Sequence, residues 1–329
     1  NSVALVKLLL ENKDINIAHC NNYKLNALMS CCEQYVSTNE CLSLVLNHVL
    51  NSGNQELINN IVNDKDTKGT TLLMYMIKYN YSIDLIKQIL DCGSDINIQN
   101  LNGETPLITS IINNKIDLYN LLINYKTIDV NKSDFSGITP LMYAYHLYNQ
   151  NKVSTCNYIL NHRVPTEHLF INLLKHSDID INKTNNYGDN ILFLILANKY
   201  GKSYINTATD AQPQYFSAFE TLLTKDFDTK ENLNSDDFFL ISTILSHEKN
   251  NVNARDINGK SLLEHTVSNC DVEIFELLMR NPLLDVNIRN NNGVTIAMQI
   301  VEKLIKQPSD TTTEPLQKIT LSSYKSEFT

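Results

Sequence analysis

Two kinds of apolar stretch alternate along this chain, each bounded by polar residues. In one kind, Leu118 is followed at i+3 and i+4 by Leu121 and Leu122, Ile274 by Leu277 and Leu278, and Leu85 one turn on by Ile89 and Leu90. These spacings predict helices with one buried face. Each lies behind another apolar stretch, and that one opens on a recurring polar phrase. The phrase reads DTKGTTLL from Asp66, NLNGETPL from Asn100, DFSGITPL from Asp134, NNYGDNIL from Asn185, DINGKSLL from Asp256 and NNNGVTIA from Asn290. Its glycines, Gly69, Gly103, Gly137, Gly188, Gly259 and Gly293, are spaced by 34, 34, 51, 71 and 34 residues. A seventh copy, NNYKLNAL from Asn21, has Lys24 in the glycine slot.

The phrase has a direct physical reading. Asp or Asn at the first turn position with Gly at the fourth is a type I turn signature, and Gly lets the chain leave at positive φ. Two residues past the glycine slot stand Asn26, Thr71, Thr105, Thr139, Asn190, Ser261 and Thr295, all good N-caps. Pro106 and Pro140 occupy the favoured first helical position. A helix is therefore expected to start at the same place in every copy, followed by a second one. Most copies are preceded by a short phrase ending in Asn: Asn16, Asn97, Asn131, Asn182, Asn253 and Asn287.

This turn–helix–helix unit with its TPL phrase resembles the ankyrin repeat, over nearly all of residues 1–306. The resemblance implies an all-α solenoid of stacked helix pairs with short finger turns, each repeat packing on its neighbours, and a binding role toward another protein. One family feature is missing. The His that usually follows TPL is replaced by Met29, Met74, Ile108, Met142, Phe193, Glu264 and Met298, so the polar support it gives the turns must be absent or supplied otherwise. The Asn after Asp-Val or Asp-Ile also resembles sites of asparaginyl hydroxylation, loosely at Asn97, Asn131 and Asn287. A structural role in turn hydrogen bonding explains the same residues better.

Three intervals exceed one repeat: 45 residues from Lys24 to Gly69, then 51 and 71. Each contains an extra amphipathic stretch, Gln55–Val62, Glu167–His176 or Asp236–His247. All three are expected as additional helices after the second helix of their repeat, although remnants of decayed repeats would read the same way. The polar stretch from Gly201 to Phe216 is expected as a loop joining two helices. Residues 307–329, rich in Ser and Thr, read as a polar tail or linker. At the other end Val3–Leu10 reads as the apolar end of a helix with no cap before it and no initiator Met, as in a fragment of a longer chain.

Composition narrows the function more than the fold. Of 329 residues 43% are hydrophobic, enough for a continuous core, and nothing approaches the ~18 uninterrupted apolar residues of a membrane span. Thirty-six acids against 27 Lys and Arg, net −9, argue against a nucleic-acid surface. Seven cysteines without a CxxC pair suit reduced, intracellular thiols, so a cytoplasmic location is expected, with the nucleus also open. Cys20, Cys31, Cys32 and Cys41 cluster but match no zinc spacing, and Cys31 is read as a packing residue on the first helix's core face. His146, His162, His168 and His176 form no catalytic pattern, and no phosphate-binding loop is present. Neither a cofactor, a metal nor a catalytic residue is expected.

The expected role is a non-catalytic protein-interaction module, the alternative being a docking segment of an enzyme whose catalytic domain lies elsewhere. Most turn tips are polar, but Leu101, Phe135, Tyr187 and Ile257 put large apolar groups where no core can receive them. With Ile112, Asn113, His146 and Leu147 on the adjoining first helices, they form the candidate binding surface.

Overall fold

A computed structural model describes residues 2–12, 15–33, 39–155, 165–200 and 234–306. The expected loop at Gly201–Phe216 and the tail at 307–329 lie outside them. The chain forms two compact units that part between Ile179 and Asp180. Among the described residues there are fifteen helices, and the only β pairing is two isolated bridges, Arg255 with Ser261 and Arg289 with Thr295.

The first unit opens with α1 (Ser2–Leu10). The copy starting at Asn21 gives α2 (Ala27–Glu33), α3 (Asn39–Asn51) and α4 (Gln55–Asn63). The next three give α5 (Leu72–Lys78) with α6 (Ile83–Asp91), α7 (Pro106–Ile112) with α8 (Ile116–Ile123), and α9 (Pro140–Thr155) with α10 (Pro165–Leu174). First helices stack on first helices, α2 on α5, α5 on α7 and α7 on α9, while α6 meets α8 and α8 meets α10. The second unit holds α11 (Ile191–Lys199), α12 (Asn234–Leu245), α13 (Leu262–Ser268), α14 (Val272–Met279) and α15 (Ile296–Lys306), with α13 packed on both α11 and α15 and α12 on α14. Each unit is thus a stack of helix pairs, the all-α repeat architecture read from the sequence.

All seven first helices begin directly behind their expected caps. The hydroxyl of Thr105 accepts from the Ile108 N–H at 3.2 Å, and Asn190 from Phe193 at 3.1 Å. Ser261 and Glu264 form a reciprocal capping box. Three first helices, α5, α7 and α13, are only seven residues long because a left-handed residue ends them. Asn80, Asn114 and Cys270, each fourteen positions after its turn's first residue, have φ of 60°, 51° and 55°. The next amide then reaches back to close the helix, as Lys115 N–H does to the Ser110 carbonyl at 2.8 Å. The equivalent Tyr148 lies inside α9, which runs on to Thr155. Leu28, Leu73, Leu107, Leu141, Leu192 and Leu263, one in each of six copies, are buried between the layers.

All three extra stretches are helical. Gln55–Val62 is an additional helix, α4, following the second helix of its repeat. Glu167–His176 and Asp236–His247 fall largely on α10, packed on α9 and α8, and on α12, packed on α11 and α14. After α10, His176 N–H bonds the Leu173 carbonyl and Ile179 N–H the His176 carbonyl, both at 3.1 Å. After α8, Tyr125 and Ile128 do the same, each at 3.0 Å, and after α12, His247 and Asn250 follow suit. The remaining residues of the two long intervals, 156–164 and 201–233, lie outside the described residues.

Candidate partner-binding surface

Each turn is an Asx-anchored hairpin built by its first residue. In the copy at Asp66 one carboxylate oxygen accepts from the N–H of Lys68 at 2.8 Å and of Thr70 at 2.7 Å, while Gly69 N–H donates to the Asp66 carbonyl at 3.0 Å. The same bonds recur from Asn21, Asn100, Asp134, Asn185, Asp256 and Asn290. Even the copy without glycine complies, Lys24 taking φ 59°.

Successive fingers in the first unit are tied backbone to backbone. Thr67 N–H donates to the Tyr23 carbonyl at 3.0 Å, Leu101 N–H to Lys68 at 2.9 Å and Phe135 N–H to Asn102 at 3.1 Å. This contact gives the glycine a second reason. A Cβ on Gly103 would lie 2.9 Å from the Cα of Asp134, in addition to the strain of φ +82°. On Gly293, at φ +75°, it would meet nothing within 4 Å.

The missing His has been replaced by a pairing visible within the single sequence. Where a turn starts with Asp, a donor stands nine residues on. Tyr75 donates to Asp66 Oδ2 and Tyr143 to Asp134 Oδ2, both at 2.8 Å, and His265 Nε2 meets Asp256 Oδ2 at 2.9 Å. Where the turn starts with Asn, position nine is Ser30, Thr109, Leu194 or Gln299. The amide instead finds an acid: Asn100 Nδ2 donates to Glu104 at 2.7 Å and Asn290 Nδ2 to Glu264 at 2.9 Å. A carboxylate taken from water needs donors for both oxygens, whereas an amide brings its own. Burial still pushes the Asp134 carboxyl above its ordinary range, with Tyr143 pulling it back. Asp189, 1% exposed, is raised furthest, to about 6, by burial and then by the charge of Asp256, against the influence of Asn185.

The asparagines before the turns form a ladder. Nδ2 of Asn63, Asn97, Asn131, Asn182 and Asn253 donates to the carbonyls of Gly93, Thr127, Asp178, Lys249 and Leu283 at 2.6–3.0 Å. Oδ1 of Asn63, Asn97, Asn182 and Asn253 accepts the N–H of Asp95, Asp129, Asn251 and Asp285. The structural reading of Asn97 and Asn131 holds, and Asn63 at the end of α4 is a further member, standing three residues before its turn as Asn97, Asn131, Asn182 and Asn253 do.

The candidate contact residues are placed as follows. In the first unit Leu101 and Phe135 are 57% and 63% exposed at the tips of adjacent fingers. Ile112, Asn113 and Leu147 are half-buried, while His146 is only 8% exposed and burial lowers its pKa to about 4. In the second unit Tyr187 and Ile257 are 40% and 68% exposed, also on neighbouring fingers, with Ile257 lying against Gly188. Tyr23, exposed at the tip of the finger that lacks glycine, belongs with the first pair. It sits at the third turn position, as Tyr187 does, and that shared position was the available signal. His162 lies outside the described residues. Cys32 rather than Cys31 faces the core. Burial raises Cys31 and Cys32 to about 11 and 12, which leaves both as unreactive thiols at neutral pH. Among the described residues no three of His, Cys, Asp and Glu come together, and no helix is long and apolar enough to cross a membrane.

A family model of ankyrin repeats in three copies matches residues 73–168. An ankyrin repeat protein of Acanthamoeba polyphaga mimivirus is 28% identical over 90% of this chain, which spans 33% of that protein's length. Neurogenic locus notch homolog protein 1 of Xenopus laevis and of Homo sapiens are 31% and 32% identical over 85 residues, 26% of this chain and 3% of theirs. The crystal structure of an ankyrin repeat protein superimposes with a TM-score of 0.50 at 16% identity, covering 81% of this chain and 98% of that one, a likeness of fold.

Proposed function

Because the chain belongs to the ankyrin repeat family, whose repeats generally serve as protein–protein interaction modules, we propose that it is a non-catalytic adaptor or scaffold. Its partner is a protein, held by the finger tips and the adjoining first helices. The observation that carries this reading is the state of Leu101 and Phe135: each backbone N–H is bonded to the preceding finger while the side chain stands exposed. A large apolar group on a fixed backbone loses little further freedom on binding, which is the economy of a hot-spot anchor. Ile112, Asn113 and Leu147 border the same side. His146, 8% exposed, offers little surface of its own. In the second unit Tyr187 and Ile257 are the corresponding anchors. The six described cysteines are free thiols, which suits a reducing, intracellular setting.

The test uses the full chain as bait in native or host cytosol, beside the double variant Leu101→Ala with Phe135→Ala. The variant should melt within about 2 °C of the parent, since exposed positions contribute little to stability. It should lose affinity for the captured partner by roughly 100-fold, the hot-spot scale. A destabilised variant that still binds would show that these side chains serve finger packing and that the partner docks elsewhere.

A further inference from the structure

Acids in the first unit are unevenly placed, and their placement points to the kind of partner its fingers fit. The turn tips and first helices, taken over residues 22–33, 67–80, 101–114 and 135–148, contain two acids, Glu33 at the end of α2 and Glu104, in a chain whose acids outnumber its bases 36 to 27. Glu104 is half-buried and accepts from Asn100, so it is engaged within the finger. The same stretches contain Lys24, Lys68 and Lys78, all exposed and none in an ion pair; Lys78 lies over the Tyr79 ring, 5.5 Å from its centroid. The exposed acids of the two central copies, Asp84, Asp91, Asp95, Asp117 and Asp129, lie instead on the second helices and the loops behind them. Three exposed apolar tips, Tyr23, Leu101 and Phe135, stand on the same run of tied fingers as Lys24 and Lys68.

We propose that the first unit binds an acidic, extended protein segment in which Asp or Glu alternates with apolar residues, the acids meeting Lys24 and Lys68 and the apolar groups seating on Tyr23, Leu101 and Phe135. This rests on the finger-tip reading above and adds the chemistry of the partner. Among the described residues these lysines form no ion pair, so an incoming carboxylate gains attraction without breaking one. With only two acids in these stretches, little like charge opposes that attraction. A nucleic acid fits less well: three lysines would release few counter-ions, and the chain's net charge of −9 repels an extended polyanion.

The experiment measures fluorescence anisotropy with the full chain and four labelled probes. These are a short acidic–apolar peptide, the same peptide with its acids replaced by Lys, the acidic peptide with its apolar residues replaced by Ser, and a single-stranded RNA. The acidic–apolar peptide should bind tightest, and its affinity should fall about tenfold when salt is raised from low to physiological levels. The variant Lys24→Glu with Lys68→Glu, checked by its melting temperature, should lose that peptide and gain the Lys-bearing one. If the Lys-bearing peptide binds the parent equally well, and Leu101→Ala with Phe135→Ala weakens both, the acidic assignment is overturned while the finger-tip reading stands. If no peptide responds to Leu101→Ala with Phe135→Ala, the finger-tip reading itself fails. Preferential binding of the RNA overturns the proposal in favour of a nucleic acid.

Discussion

Replacing Tyr143 by Phe tests whether the finger carboxylates are held by the donors nine residues away. The hydroxyl donates to Asp134 Oδ2 at 2.8 Å, and Asp134 is buried. The other oxygen remains bonded to the Ser136 and Ile138 amides, so the substitution orphans one oxygen of a charged group. A hydrogen bond to a buried charge is worth about 1.5–3 kcal/mol, and ~2 kcal/mol is expected here. For a unit of this size that lowers Tm by about 5 °C. The effect carries a pH signature. Burial already raises the folded pKa of Asp134 above its unfolded value, and removing Tyr143 raises it further. An acid held protonated in the folded state costs nothing below its unfolded pKa, about 3.9, and its full amount above the folded one. The Tyr143→Phe penalty should therefore be largest near neutral pH and shrink as the pH falls toward about 4. Asp134→Asn should cost under ~1 kcal/mol, because the amide oxygen keeps both backbone bonds. The double variant should cost less than the sum, with a coupling of ~1 kcal/mol or more. Melts followed by circular dichroism at both pH values give all these terms. A penalty equal at both pH values and additive with Asp134→Asn would mean that Tyr143 contributes packing alone.

Gly103→Ala and Gly293→Ala share the strain of positive φ but differ in their neighbours. The second should cost ~1 kcal/mol and the first clearly more, because the Asp134 backbone must move; equal losses in Tm would refute the close-approach argument. Leu107→Ala and Leu141→Ala, at equivalent buried positions, should each cost roughly 2–5 kcal/mol through cavity formation, and denaturation midpoints matching the parent would show the repeat alignment to be wrong. Asp189→Asn should stabilise at neutral pH by up to ~3 kcal/mol, with the gain vanishing near pH 4, because a carboxyl raised to about 6 loses stability as pH rises from its unfolded pKa to that value. His146 works oppositely over nearly the same window: lowered to about 4, it loses stability as pH falls from about 6.5. The parent's own pH profile should therefore be flatter than that of Asp189→Asn.

What could be read from the sequence was what local hydrogen bonding dictates. The turn at Asp66 and the cap at Thr105 each close within four residues, so their chemistry is complete in a short window and placed all seven first helices. The repeat period then supplied the architecture, and the large residues at positions 101, 135, 187 and 257 stood out because a turn tip has no interior to enter. The rest depended on partners a full repeat away. Asn63 becomes part of the ladder only when Gly93 and Asp95 arrive beside it, and Gly103 is crowded only because Asp134 is stacked against it. His146, read as a groove residue from its position, is buried by the packing around α9. The helices at Pro165–Leu174 and Asn234–Leu245 have the amphipathic pattern of any surface helix, so their sequence could not say whether they were second helices or additions. Periodicity specifies that a helix has a face to bury but not which neighbour buries it, and that choice belongs to the stack, where α10 meets α8 and α12 meets α14.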